Sequence, residues 1–535
     1  MQRHATGFAH LYEYMACCVG LFILYGVMVW LMRGVKADRF FIFAAAASAA
    51  FRAILLSSPV MLSFDAYAYA FYGRLLAFYG ANAHAAAPAA SATDPFHAGG
   101  IYQWGPSWYG PLWTAISGAV AWFGAGHVGL TLLIFRCIGV AASLGIGGLL
   151  WAISSRLWPE RSGLATILFL WNPLVVMESA LAGHNDGVMI ALALLAVWLH
   201  LRGWKAGAIS ALTLSALVKV ITAPLIPLYL LMVLRETAGW PARLTLLARA
   251  TAGAAIAVAL SMLTARMNPT ALLAHTVASA SFYKNNYHEL IFRALRRELG
   301  ESPSTLDAPM DFQPWWVATS APTALHAGTS SKSPTLLRLK PSQPLMALSA
   351  IDSEKWLRVY DPADRAVGFV NWSRLYATAE PADAANDPNV RQLSIPPGDW
   401  PTVAKANRWI RLATWGLFAL FGLVAAWRAR DFAHFLAWTT LYFIAALLLV
   451  VTQIWPWYMI WPVAFGALRP AGAATQLALL MSAALAMSYA LLGFCNTRLE
   501  WVFDYRSLFT IVIPVVAFAL WRLIVTLPSS RRVSP

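Results

Sequence analysis

Charged side chains are scarce in this 535-residue chain: they form 12% of it, against 59% hydrophobic residues. Soluble domains carry about 25% charged and roughly 45–50% apolar residues, so a soluble fold could not hide this much apolar surface. Disorder is excluded too, because it needs low hydrophobicity and high charge. Cysteine is equally thin. Cys17, Cys18, Cys137 and Cys495 lie in or beside apolar runs, with neither metal-ligand spacing nor a disulfide framework. Acidic residues are the minority charge, 24 against 39 Lys and Arg, which leaves +15. On a soluble protein that excess would point to nucleic acid. In a membrane protein it marks cytoplasmic loops instead, and no nucleic-acid partner is expected.

Apolar length is what the chain has in quantity. A membrane span needs roughly 20 mainly apolar residues. Candidate spans are 11–32, 39–62, 127–153, 163–182, 187–201, 245–266, 409–427, 432–452, 455–468, 472–494 and 507–527. The run 206–234 is broken by Pro224 and Pro227, and proline interrupts a helix, so it reads as two short helices in a hairpin. The expected fold is an all-α polytopic membrane protein with about 13 transmembrane helices. Only Arg3 charges the start of the first span and no small-residue cleavage site follows, so it reads as a retained span rather than a signal peptide.

Basic residues set the orientation. Arg33, Lys36, Arg39, Arg156, Arg161, Arg202, Lys205, Arg235, Arg243, Arg249, Arg428, Arg430, Arg469, Arg531 and Arg532 cluster after alternate spans. Placed in the cytoplasm, they let the spans alternate without contradiction. The outer face then receives the loop 63–111, the junction 182–186, the stretch 267–408 and the junction near 453–458. A short apolar stretch at 111–124 is expected to lie along the membrane surface. The organisation expected is a membrane catalytic region over 1–300, a linker at 301–333, a small β-rich insert at 334–378, a second linker at 379–408 and a closing membrane region at 409–535. The insert reads as strand, turn, strand around Trp356–Tyr360, Asp361–Asp364 and Val367–Val370. It resembles the last hairpin of bacterial Src-homology-type small β-barrels, which often bind wall or peptide ligands; a plain β-rich loop fits the pattern equally.

Few ionisable residues remain once the basic loops are set aside. Asp65 begins the outer loop in Ser63-Phe64-Asp65-Ala66-Tyr67-Ala68-Tyr69. It is either a helix cap or a general base beside aromatic rings. Glu178 lies inside an apolar helix, where an ionisable group defaults to function, either paired with Arg136 or acting directly. His184, Asn185 and Asp186 open a helix, as caps or as an anion or sugar site. Lys219 sits just before the breaking prolines, either snorkelling to the interface or neutralising a phosphate. Gln453-Ile454-Trp455-Pro456-Trp457-Tyr458, ahead of Trp461, is an interfacial belt or the wall of a sugar and isoprenoid site. Tyr109-Gly110-Pro111, with Trp104 before it, is turn chemistry with a weak functional hint. The topology used none of these residues, yet it puts them near one membrane face.

These motifs, in this order, resemble the GT-C superfamily of integral-membrane glycosyltransferases, and most of all the polyprenyl-phosphate-mannose-dependent α-mannosyltransferases of bacteria. The likeness covers roughly 60–300 and 405–465. It rests on the Asp65 motif with Gly73 and Gly80-Ala81-Asn82, on Tyr109-Gly110-Pro111-Leu112, and on Trp171-Asn172-Pro173-Leu174 followed by Glu178 and Gly183-His184-Asn185-Asp186. Leu217-Val218-Lys219 and Trp457-Tyr458 with Trp461 complete it. The resemblance implies an inverting sugar transfer, of mannose, on the extracytoplasmic face of a bacterial cytoplasmic membrane. The donor would be a polyprenyl-phosphate sugar, needing no nucleotide or other cofactor, and the acceptor a glycan or lipid-linked sugar; few acidic residues crowd Asp65, so no metal is expected. Asp65 matches the family's base. Lys219 and His184 would hold the donor phosphate, and Tyr67, Tyr69, Tyr109, Glu178, Asn185, Asp186, Trp457 and Tyr458 would line the substrate site. Two departures stand out: Asn82-Ala83-His84 replaces an Asn-Pro-Tyr, and the β insert is foreign to the family. A transporter of lipid-linked sugars would instead need midplane polar groups and internal repeats, and a wall-binding scaffold would centre on the insert.

Overall fold

The computed structural model describes residues 8–34, 40–63, 65–84, 94, 96, 107–267, 270, 283, 285–298, 315–351, 356–378, 381–394, 401–492, 502 and 505–526. Arg3, Lys36, Arg39, Phe64, Trp104, Cys495, Arg531, Arg532 and residues 301–314 lie outside them. The described part is mostly helical with one antiparallel sheet.

Among the described residues seven helices are long and apolar enough to cross a membrane: Leu11–Leu31, Val128–Leu157, Trp240–Thr264, Val403–Arg428, Phe432–Leu449, Ala473–Leu491 and Leu508–Val525. An eighth forms if Pro159–Leu170 and Pro173–Ala182, bent by 57°, count as one. The thirteen expected from sequence also include pieces that fall short. Phe40–Leu56, Asp186–Leu201 and Lys205–Val218 are apolar but have 10–17 residues each. Leu225–Glu236 has 12 residues and Ile460–Ala467 only 8, and eight residues rise about 12 Å, well under the ~30 Å hydrocarbon core.

The proline-broken run behaves as expected. Lys205–Val218 and Leu225–Glu236 form a hairpin whose open end is closed by Lys205 Nζ on Glu236 Oε2 at 3.0 Å. Its tip is the stretch Lys219–Pro224. The basic residues gather at the hairpin's open end. Arg156 Nη1 donates to the Leu201 carbonyl at 3.1 Å, and Arg235 Nη1 to Ala426 O at 2.6 Å. Asp186 and Lys219 stand at the opposite ends of helices whose other ends carry Arg202 and Lys205. Sixteen residues of helix, Asp186–Leu201, separate those ends by about 24 Å.

Small residues let the inner helices approach closely. A Cβ on Gly73 would come within 2.1 Å of Ser117 O, so Asp65–Tyr79 packs directly on Pro111–Gly124. That second helix, expected along the membrane surface, buries Trp113, Thr114 and Ser117 in this contact. The outer helices Trp240–Thr264 and Pro401–Arg428 instead expose Ile256, Leu263, Leu417 and Leu423, an apolar surface of the kind that faces lipid.

The insert is larger than the sequence pattern suggests. Seven strands, β1 (Trp315–Thr319), β2 (Thr323–His326), β3 (Thr335–Leu339), β4 (Pro344–Ile351), β5 (Trp356–Asp361), β6 (Ala366–Asn371) and β7 (Leu375–Ala377), form a sheet of order β3-β2-β6-β5-β4-β1-β7. The first two strands fall in the stretch read as linker. Ser, Thr and Pro around them hid alternating residues such as Val317 and Leu325, both buried. The expected hairpin is present, with Trp356 opposite Asn371 and Asp361 opposite Ala366. One face buries Leu325, Leu345, Leu357, Val359 and Val370. The other packs Trp316, Met346 and Tyr360 against Ala384 and Val390 from the following segment.

Candidate active site

The site forms where four local breaks in regular structure meet. The first is the start of Asp65–Tyr79. Asp65 occupies the first helical position, with its backbone N–H donated to Ser63 Oγ at 3.1 Å. A carboxylate there is favoured by the helix dipole. Its side chain reaches across to other helices rather than capping its own.

The second break is Trp171–Asp186. Asn172 caps the short helix Pro173–Met177 by accepting from Val175 N, with Pro173 at the first position, where proline's missing N–H costs nothing. The helix then widens into a π-turn, Glu178–Ala182, and ends at Gly183 with φ of +70°. Such π-turns are rare and cluster at functional sites. Here the turn aims Glu178 and His184 at the same point.

The third break is Lys219, whose extended backbone ends Lys205–Val218 before Pro224. Gly110 holds this end: its N–H donates to Val218 O at 3.0 Å, and a Cβ on it would lie 2.0 Å from Leu217 O. The Tyr109-Gly110-Pro111 motif therefore owes its glycine to close backbone approach. The fourth break is the turn Pro456–Met459, which supplies Trp457 and Tyr458.

Two linked groups result. In the first, His184 lies between two carboxylates: Nδ1 is 3.3 Å from Asp65 Oδ2 and Nε2 is 3.2 Å from Glu178 Oε2. Tyr489 donates its hydroxyl to Glu178 Oε1 at 2.6 Å, and the Tyr69 hydroxyl is 3.3 Å from Asp65 Oδ2. The Trp457 ring stacks on His184 at 3.9 Å, and Trp455 stacks on Trp457. In the second group, Asp186 Oδ1 accepts from Lys219 Nζ at 2.9 Å and from Trp461 Nε1 at 2.6 Å. Lys219 Nζ sits 4.2 Å from the centre of the Tyr458 ring and 5.2 Å from that of Trp461. Tyr69 and Asn185 join the groups through a 3.3 Å contact, and Tyr109 packs edge-on against Tyr69.

Accessibility separates the three carboxylates. Glu178 and Asp186 are fully buried, whereas the Asp65 side chain is 26% exposed. Asp65 Oδ2 takes both contacts given above. Burial alone would lower the His184 pKa, but Asp65 and Glu178 on either side raise it to about 9, so His184 is a cation at neutral pH. Burial would raise the Asp65 pKa. Contact with His184, the nearby Lys219 charge and the Tyr69 hydroxyl outweigh it and hold Asp65 below the usual carboxylate range. Asn185 Nδ2, Asp186 Oδ2 and Trp457 Nε1 are buried without a hydrogen-bond partner among the described residues. Buried polar groups are nearly always satisfied, so these donors and acceptors suit a polar substrate.

Most of the residues singled out from sequence converge here: Asp65, Tyr69, Tyr109, Glu178, His184, Asn185, Asp186, Lys219, Trp457 and Tyr458. Tyr67, two residues past Asp65, leaves the helix on another face and packs half-buried against the helical core. The expected Glu178–Arg136 pair is not formed. Arg136 donates to the carbonyls of Ala180, Ser58 and Leu55 at 2.6–2.7 Å, while Glu178 turns to His184 and Tyr489. Tyr489 was not singled out from sequence, and its signal was a hydroxyl inside an apolar span. Trp461 belonged to a motif but was given no role, and it proves to be an Asp186 donor. His84, in the departing Asn82-Ala83-His84, contacts Ser107 O and Thr114 Oγ1 at 3.1 Å each and so ties down the outer loop. Among the described residues no group of three or more His, Cys, Asp or Glu side chains could hold a metal ion.

Residues 2–235 match the family model described as alpha-(1->6)-mannopyranosyltransferase, N-terminal domain. No curated protein and no solved structure matches the chain. The matched stretch contains Asp65, Glu178, His184, Asp186 and Lys219; the Trp457, Trp461 and Tyr489 side lies beyond it.

Proposed function

From the match of residues 2–235 to the alpha-(1->6)-mannopyranosyltransferase model we propose that the chain is a membrane mannosyltransferase of that family, which moves mannose from a polyprenyl-phosphate donor to a glycan or lipid-linked acceptor. Transfer takes place at the extracytoplasmic face of a bacterial cytoplasmic membrane and makes an α(1→6) bond with inversion. Three shorter helices, Phe40–Leu56, Asp186–Leu201 and Lys205–Val218, together with Leu225–Glu236 and Ile460–Ala467, add membrane-embedded segments that bring the total toward thirteen.

One observation carries the reading: a partly exposed carboxylate, Asp65, and a cation, Lys219, are held by two neighbouring residues of one junction, His184 and Asp186. A glycosyl transfer needs this separation of roles. Asp65 accepts the proton of the acceptor hydroxyl while that oxygen attacks the anomeric carbon. The bond to the donor phosphate breaks on the opposite side, and its developing charge meets Lys219 and the His184 cation. General-base help is worth roughly 10²–10⁴-fold, and fixed charges at the leaving group contribute on a similar scale. An apolar cleft of about 300 Å³, lined by Pro224, Pro227, Leu228, Phe418, Phe421 and Tyr442, follows Lys219 in the chain and suits an isoprenoid tail. A second apolar cleft of about 510 Å³ lies between Ile209, Leu230 and Ala254, and neither cleft is lined by a charged residue.

The test uses purified protein with polyprenyl-phosphate mannose, arabinose or glucose and a mannoside acceptor. The reading requires consumption of the mannose donor, and an α product made with inversion requires its β anomer. Consumption of another sugar, or of the α anomer, would contradict it.

A further inference from the structure

Among the described residues, two arginines inside the helical core have no acidic partner. Arg52, on Phe40–Leu56, is fully buried. Its Nε donates to Ser179 Oγ at 3.0 Å, its Nη2 to Ser143 Oγ at 2.7 Å, and its Nη1 to Leu170 O and to Ser48. Arg136, on Val128–Leu157, bonds only carbonyls, among them Ala180 O. Neither forms an ion pair among the described residues. An unbalanced guanidinium inside an apolar helix is costly and defaults to a functional role.

The two converge on one target. Ser179 and Ala180 are the second and third residues of the π-turn Glu178–Ala182. Arg52 grips the turn through a side chain, Arg136 through a carbonyl. Gly183 closes the turn against Arg136, where a Cβ would lie 3.1 Å from its backbone. The turn is thus held from behind by two forked cations, and its front presents Glu178 and His184 to Asp65.

We propose that Arg52 and Arg136 are positioning residues: they clamp the Glu178–Ala182 turn and so fix the line Glu178–His184–Asp65, without touching substrate. The inference rests on the transfer reading above. Lys219 is held by Asp186 and not by the clamped turn, so the donor phosphate keeps that contact when the clamp loosens, and kcat should fall with donor binding largely spared. A displacement of about 1 Å can cost on the order of 10²-fold in rate.

The experiment compares wild type with R52K, R52Q, S179A and a remote destabilised control, L150A, whose side chain is buried in the same core. Each is purified in detergent and assayed with polyprenyl-phosphate mannose, and its thermal unfolding is recorded. R52K keeps the charge but loses the fork, and its kcat should fall about ten- to a hundredfold with donor KM within about twofold of wild type. S179A should fall in the same direction by less. L150A should lose thermal stability while keeping kcat. Wild-type kcat in both R52K and S179A would overturn the clamp, as would kcat falling in step with melting temperature across all four variants. Lack of any turnover by wild type would instead refute the transfer reading.

Discussion

The membrane site and the β insert are built on opposite principles. The insert's core is local: β5 and β6 are joined by four residues and pair over six positions, and its apolar residues alternate. The site is assembled from distant segments. Glu178 meets Tyr489 across 311 positions and Asp186 meets Trp461 across 275. The insert buries mainly apolar side chains, whose burial is favourable at about 25 cal/mol per Å². The site buries carboxylates and cations, a costly arrangement unless each charge is paired and hydrogen-bonded. A chain keeps such an arrangement for chemistry, whereas an apolar sheet needs only to fold.

That contrast predicts unequal sensitivity to substitution. The largest effect is expected for Asp65→Asn, which removes the base but keeps the shape. Its kcat should fall by about 10²–10⁴-fold, with membrane insertion kept and thermal unfolding lowered only modestly, because His184 keeps Glu178; near-normal turnover would move the reacting centre elsewhere. Lys219→Gln should come next. It removes the leaving-group charge, for a loss of about 10²–10³-fold in kcat. It also strands the buried Asp186 carboxylate, at about 3–5 kcal/mol of stability. The double variant Lys219→Gln, Asp186→Asn should regain stability in a melting experiment but not activity, which separates the two roles.

A milder break is made with pH. His184 is raised to about 9 by its two carboxylates, against an ordinary value near 6.5. Its pairing therefore adds stability in full below about 6.5, and the contribution fades as pH rises through about 9. The basic limb of kcat/KM should lie near that upper value, because a neutral imidazole no longer helps the departing phosphate. A basic limb near 6.5 would mean that His184 is not held between Asp65 and Glu178. The smallest effect is expected from excising the insert. The β1 and β7 strands pair, and Thr378 N donates to Trp316 O at 3.0 Å, so the first and last strands of the sheet lie side by side. Because Ala384 and Val390 pack on the sheet, the excision must run over 315–394. Mannose transfer should stay within a few-fold of wild type, by analogy with the tolerance of surface insertions.

The same contrast explains what could be read from the sequence. Period-two alternation exposed the β5–β6 hairpin, but β1 and β2 were hidden by the Pro, Ser and Thr around them. Long apolar runs such as 128–157 were legible as spans. Short ones such as Ile460–Ala467 were counted as spans because hydropathy carries no length of unbroken helix. Asp65, His184, Asp186 and Lys219 were legible because ionisable residues are rare in an apolar chain. Their partners were not. Depth along a helix suggested Arg136 for Glu178, but which way each side chain turns depends on the π-turn and Gly183, and no periodicity reveals those. Tyr489 and Arg52 were missed for the same reason: each acts across the bundle on a residue far away in sequence.

The most direct measurement puts the two regions side by side. Single-turnover transfer of labelled mannose from polyprenyl-phosphate mannose is followed with purified wild type, D65N and the chain lacking 315–394. The account predicts that D65N fails while the shortened chain transfers at close to the wild-type rate. An active D65N beside an inactive shortened chain would contradict it and place the chemistry in the insert.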